Sequence, residues 1–411
     1  MLTNDAVIFG ILAAMLGLVF WTSGSGHPFW RRFYAIFPPL LLCYFLPSLL
    51  TASGLVDPEE SRLYFVASRY LLPAALVILT VAADIPGALR LGPKALIMFF
   101  TGTVGVMLGG PLALLAASLV APDLVGVGGP DAVWRGMATL AGSWIGGAAN
   151  QTAIREIFGV GSQSFSIWVA VDILVANIWV AVLLAIAANQ KAVDGWFKAD
   201  ATALDAVKAR AEAYEAEHAR IPMLKDLIFI LAIGFGATGF AHFCADFLAP
   251  YFQETFPGAA QFSVHSNFFW LVVIATAIGV ALSFSPARKL HGAGAMKVGS
   301  LFVYILVATV GMQMNILAIT ETPAFFLIGG LWIAIHAALM ILVARLIKAP
   351  SFFLAVGSQA NIGGAASAPV VAAAFHPSLA SVGALLAVLG YIFGTFGAWL
   401  TGQTMRVIAG Q

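Results

Sequence analysis

Charge is what this 411-residue chain has least of. Asp, Glu, Lys and Arg make up 9% of it, against about 25% in soluble domains. With 61% hydrophobic residues and a mean hydropathy of +0.95, lipid is the solvent the composition fits. The formal net charge is only +1 and the basic residues are scattered. That excludes the concentrated basic face of a nucleic-acid-binding protein, and no nucleic acid is expected as a partner. Cys43 and Cys244 are the two cysteines, too few for a disulfide framework or a zinc site. The opening stretch MLTNDAVIFG lacks the positive region and the small-residue cleavage site of a secretory signal, so its apolar run is expected to be the first span. Also missing are H-E-x-x-H, G-x-S-x-G and paired carboxylates on one helical face, which argues against an enzyme. No cofactor is expected.

What the chain has instead is apolar runs of about 20 residues, the length that crosses a ~30 Å hydrocarbon core as helix. They lie near 5–22, 33–53, 64–84, 94–120, 137–158 and 164–188, then near 223–248, 266–286, 297–318, 323–347, 352–374 and 378–405. Between the two sets lies a polar, Ala-rich stretch, 189–222, read as a solvated cytoplasmic linker helix. Equal numbers of segments in similar rhythm suggest a duplication, with 1–188 and 223–411 as its halves.

One motif supports the duplication. The fifth segment of the first half contains GSWIGGAAN from Gly142 to Asn150, and that of the second half contains GSQANIGGAAS from Gly357 to Ser367. Both copies of Ile-Gly-Gly-Ala-Ala are followed by a short turn and one last span, a repeat typical of transporters.

Charge decides whether those segments cross the membrane. If 137–158 and 352–374 enter and turn back, 15 of the 20 Lys and Arg gather on one side, including Arg31, Arg32, Arg90, Lys94, the linker residues, Arg288, Lys289, Arg345 and Lys348. That matches the cytoplasmic excess of basic residues in membrane proteins. Full crossings would scatter the charge. The expected architecture is therefore an all-α polytopic membrane protein of two inverted repeats, each with five transmembrane helices and one re-entrant hairpin, and with both termini external.

Non-helical backbone at membrane depth survives only where protein or a water-filled cavity satisfies it, so the hairpin tips are the candidate site. Gly146, Gly147, Gly363 and Gly364 supply unusual dihedrals and let backbone groups approach a ligand. Helix N-termini favour anions, and freed carbonyls with side-chain oxygens favour a hard cation such as Na+. Asn150, Gln151 and Ser367 are candidates for substrate contact; Thr152, Ser358, Gln359 and Asn361 are candidates for the cation. Asp172, an intramembrane carboxylate, is a candidate cation or proton site, unless a neighbouring hydroxyl, or an amide such as Asn177, merely satisfies it. Arg155, about 12 Å beyond Gly147 along the helix, could attract an anionic substrate or pair with Glu156. Asp84 and Asn315 read as symmetry-related helix ends.

SWIGGAAN, SQANIGGAASAP and ADIPGALRLGPKAL together resemble motifs of the domain-of-unknown-function 819 family of bacterial and plastid membrane proteins, over nearly the whole chain. That family is similar in organisation to the glutamate:sodium symporters and the 2-hydroxycarboxylate transporters. The resemblance implies a Na+- or H+-coupled symporter in the bacterial cytoplasmic membrane, working by elevator movement of a domain that carries both hairpins, with a scaffold that forms a homodimer. Where the carboxylate transporters have Gly-Gly-x-Gly, this chain has Ala148 and Ala365 after the glycine pairs, so the expected substrate is a small anion of wider class: carboxylate, amino acid or small peptide. A channel is the competing expectation, but it needs a continuous polar stripe that the sequence does not contain.

Overall fold

The computed structural model describes residues 2–411 apart from 83–84, 201–203, 205–206, 208–221, 291, 315–322 and 377–378. Asp84, Asn315 and most of the expected linker helix fall outside the described residues. The rest is helical, and the only extended pairing among the described residues is one bridge between Leu2 and Val56.

In order, the helices are α1 (Asp5–Ser23), α2 (Pro28–Ile36), α3 (Pro39–Ala52), α4 (Leu63–Val81), α5 (Pro93–Val120), α6 (Val133–Gly146), α7 (Ala148–Phe158), α8 (Ser162–Ala188) and α9 (Gln190–Phe197). They continue with α10 (Leu224–Thr255), α11 (Asn267–Ser283), α12 (Ala295–Met312), α13 (Ala324–Leu346), α14 (Ser351–Ile362), α15 (Gly364–Phe375) and α16 (Ala380–Ile408). Among the described residues eight of them, α1, α4, α5, α8, α10, α12, α13 and α16, are long and apolar enough to cross a membrane. The chain is a polytopic membrane protein.

Two expected spans differ in detail. The run near 33–53 is split, with α2 and α3 meeting at 85°. Pro38 and Pro39 cause the break, because they lack N–H groups and push the preceding residue out of the helical region. In α4 a wide π-turn occupies Ala67–Leu71. Pro73 explains it: a regular helix would drive the ring into the carbonyl of Arg69, four residues back. The wider turn frees that carbonyl, which His242 of α10 meets at 2.9 Å.

Small residues set the packing, as they must where lipid removes the hydrophobic drive between helices. A Cβ at Gly109 would lie 2.5 Å from the Trp332 ring, and one at Gly105 would lie 2.9 Å from His336 Nδ1. The bare faces of those glycines in α5 thus receive the large side chains of α13. Trp332 also packs edge to face on Trp144 of α6, with ring centroids 5.1 Å apart. The buried core lies around α6, α7, α14 and α15, walled by α5, α8, α13 and α16.

Candidate functional site

Helices α6 and α7 form a hairpin. Gly147 closes α6 at φ +83° and ψ −175°, a backbone state essentially reserved for glycine. The limbs then run side by side: Trp134 stacks edge to face on Phe158 at 5.3 Å, and the Arg135 guanidinium donates to the Phe158 carbonyl. Gly142 allows the close approach, since a Cβ there would lie 2.9 Å from the Asn150 carbonyl oxygen.

The second hairpin, α14 and α15, turns at the matching place, with Gly364 at φ +56°. Its limbs are tied by Gln359 Nε2 donating to Ser367 Oγ at 2.6 Å, and by Phe352 against Phe375 at 5.5 Å.

Both tips converge on α16. A Cβ on Gly390 would fall 3.4 Å from Gly146 Cα and 3.5 Å from the Ala360 carbonyl oxygen, one atom in each hairpin. In front of the glycines themselves there is room. A Cβ at Gly364 would meet nothing within 4 Å, and one at Gly147 only the Tyr391 ring at 3.9 Å.

The last span of each half holds the hairpin of the other. Trp179 of α8 donates to Ser358 Oγ at 2.8 Å, and His336 Nε2 shares that hydroxyl at 2.8 Å. Thr395 of α16 meets Asn150 at 2.8 Å whichever way the amide is turned. Only with Oδ1 toward Thr395 does the amide nitrogen donate to the Gly146 carbonyl at 2.7 Å while Oδ1 also accepts from the Thr395 N–H at 2.8 Å, so that orientation satisfies every group. Asn150→Ala should strand these partners and lower stability by about 1–3 kcal/mol, the usual cost of orphaned buried polar groups. Thermal unfolding in detergent measures it, and an unchanged midpoint would contradict this bonding scheme.

The remaining candidates divide by how fully they are engaged. Asn361 is saturated: Thr103 Oγ1 donates to it at 2.7 Å, and its amide donates to the Phe99 and Gly357 carbonyls, both at 2.9 Å. Thr152 bonds back to the Ala148 carbonyl at 3.0 Å. Asp172 receives Ser143 Oγ at 2.6 Å and Trp144 Nε1 at 2.8 Å, while Asn177 is occupied with the Ile173 carbonyl at 2.6 Å. By contrast Gln359 Oε1 and Gln151 Nε2 are buried without a partner among the described residues.

Arg155 is buried too, at 6% exposure. Its Nη2 donates to Gln313 Oε1 at 3.1 Å and Ser162 Oγ at 3.3 Å, and the guanidinium lies over the rings of Tyr64 and Phe165 at 5.0 and 4.7 Å. Among the described residues Nη1 has no partner and no carboxylate forms an ion pair with the guanidinium. Glu156 faces elsewhere, bonded by the Tyr64 hydroxyl and paired with Arg69 at 2.8 Å.

Among the described residues no group of three or more His, Cys, Asp or Glu is placed to hold a metal ion. Residues that sequence reasoning passed over are Tyr44, Tyr64, Gln313 and Thr395. One signal was available for Thr395: it directly follows Gly394 in the run Gly390, Gly394, Gly397, a bare helix face that asks for a close partner.

Comparison with known proteins gives the chain's family. The family model described as Protein of unknown function (DUF819) matches residues 10–408. A Bacillus subtilis (strain 168) protein, described as uncharacterized membrane protein YjcL, is 21% identical over 346 residues, 83% of each chain.

Proposed function

The chain belongs to the Protein of unknown function (DUF819) family, and from that premise we propose that it is a secondary active transporter, a Na+- or H+-coupled symporter of a small organic anion. The observation that carries this reading is the meeting of two broken hairpins at one residue, Gly390, with open space in front of Gly147 and Gly364. Irregular backbone inside a membrane protein is costly unless it lines a cavity, and paired discontinuous segments near one another are the usual form of a transporter's binding site.

The anion preference rests on Arg155, a buried guanidinium with an unoccupied nitrogen. Gln151 lies one turn before it, so both side chains leave the same face of α7. The reading is of transport; the Ser358–His336 contact at 2.8 Å is taken as a packed joint between α14 and α13, whose hydroxyl also accepts from Trp179 Nε1.

An elevator movement is supported by the unlike faces of the first hairpin. Toward α16 it is locked by glycines: a Cβ on Gly394 would lie 2.7 Å from Asn150, and one on Gly402 would lie 2.5 Å from Phe158. Toward α3, α4 and the end of α12 its contacts are polar, through Tyr44, Tyr64, Arg69 and Gln313. Interlocked faces move together; polar contacts can be exchanged as one body slides past another. The body carrying both hairpins would then travel against a scaffold, which we expect to dimerise in the bacterial cytoplasmic membrane. The charge bias of the loops supports an inverted pair of halves, 1–188 and 223–411, with both termini outside.

The test is uptake by proteoliposomes of labelled carboxylates, amino acids and small peptides under imposed Na+ or proton gradients. Gradient-driven accumulation is the expected result. Uptake indifferent to both gradients would remove the coupling, and unitary currents would replace the transporter by a channel.

A further inference from the structure

Arg155 and Asp172 are opposite charges buried in one region that make no ion pair with each other. Tyr44 stands within the electrostatic reach of both. Asp172 is fully engaged by Ser143 and Trp144, whereas Arg155 has an unpartnered Nη1 and Gln151 beside it has an unpartnered Nε2. Among the described residues these two are one positive and one negative charge, and only the positive one has a hydrogen-bonding position without a partner.

A carboxylate bound at Arg155 and Gln151 would leave this region with one net negative charge. Carrying net charge through a low-dielectric core is heavily penalised, so a loaded protein that moves needs one compensating cation. The partners of Asp172 decide which cation fits. Trp144 Nε1–H can only donate, and it can do so equally to a carboxylate or to the carbonyl oxygen of a carboxylic acid. Ser143 Oγ can either donate or accept, and a helical serine can turn its hydroxyl toward the carbonyl one turn back. A proton on Oδ2 thus reverses a single hydrogen bond and moves no heavy atom. Na+ would have to displace an N–H or O–H donor from the same oxygens.

We infer that the substrate's carboxylate binds at Arg155 and Gln151 and that one proton, taken from water onto Asp172 Oδ2 and released on the other side, is the coupling ion. This rests on the transporter reading and makes it specific. Among the described residues the charged or titratable group that interacts with Asp172 is Tyr44 of α3, which interacts with Arg155 of α7 as well; α6 presents Ser143 and Trp144, and α13 packs Gly329 against Val171 and Val175.

Asp172→Asn reproduces the protonated state, with Oδ1 accepting from Trp144 and the amide donating to Ser143, so it should fold. In proteoliposomes given labelled glutamate, malate and alanyl-glutamate, this variant should exchange internal for external label but lose about tenfold or more of the accumulation driven by a proton gradient. Arg155→Gln should lose both activities, and Arg155→Lys should regain part. Without substrate, infrared difference titration should show a protonated-carboxyl band in the wild type that is missing from Asp172→Asn. The proposal is overturned by a band that persists in Asp172→Asn, by accumulation in that variant that still follows the proton gradient, or by wild-type accumulation that follows Na+ alone; each of these leaves transport itself standing. A wild type that moves none of the three under either gradient counts against the transporter reading, and the infrared titration still decides whether Asp172 takes the proton.

Discussion

Gly147→Leu is expected to abolish uptake while the protein still inserts and folds, and Gly364→Leu to do the same from the second hairpin. The stability cost is bounded by backbone strain. Both glycines have positive φ: at Gly364, φ +56°, an L-residue pays about 1–2 kcal/mol, and at Gly147, φ +83° and ψ −175°, about 1–3 kcal/mol. Steric cost adds little, since a Cβ at Gly364 meets nothing within 4 Å and one at Gly147 only the edge of Tyr391. A leucine there fills the open space at the tips without disturbing what surrounds it, and hydropathy changes in the direction that insertion tolerates. Membrane yield should stay near wild type and the unfolding midpoint should fall by no more than that strain, while transport falls to background. Uptake at the wild-type level by either variant would sink the tips as the site.

The helices were legible because an apolar run of the right length in a charge-poor chain has one stable outcome in lipid. The hairpins were legible because the same pentapeptide stands at the same place in each half. Their partners were not. Asn150 meets Thr395 across 245 residues of sequence, Asn361 meets Thr103 across 258, and Ser358 meets Trp179 across 179. Nothing local to a residue encodes such pairings.

Two near neighbours in sequence also proved to be strangers in space, for a simple angular reason. Asn177 lies about 140° around the helix from Asp172 and Glu156 about 100° from Arg155, so neither pair faces itself. Asp172 finds Ser143 and Trp144 on α6 instead, and Glu156 finds Tyr64 and Arg69 on α4. Those two re-pairings leave Arg155 without a carboxylate among the described residues, which is what turns an ambiguous surface-style ion pair into a candidate anion site.

Gly390→Ala should destabilise the protein with one methyl group, through packing, where leucine at Gly147 does so through backbone strain alone. A Cβ on Gly390 would be driven into the Ile145 carbonyl oxygen, with Gly146 Cα at 3.4 Å and the Ala360 carbonyl oxygen at 3.5 Å on its other sides. All three are backbone atoms, which cannot swing aside as a side-chain end can. Relief requires α16 to separate from the first hairpin, the second, or both, at a cost of about 1–3 kcal/mol for overpacking. The Asn150–Thr395 contact lies one turn further along α16, so the same displacement would stretch it. The expected result is a lowered unfolding midpoint in detergent with uptake impaired in proportion, whereas leucine at Gly147 stops uptake altogether. The contrast separates the two roles of glycine in this fold: bare surface needed for packing on α16, and open space kept for a ligand at the tips. If Gly390→Ala left stability unchanged, the hairpins would not be seated against α16 as closely as this geometry requires, and the convergence of the two tips would lose its physical basis.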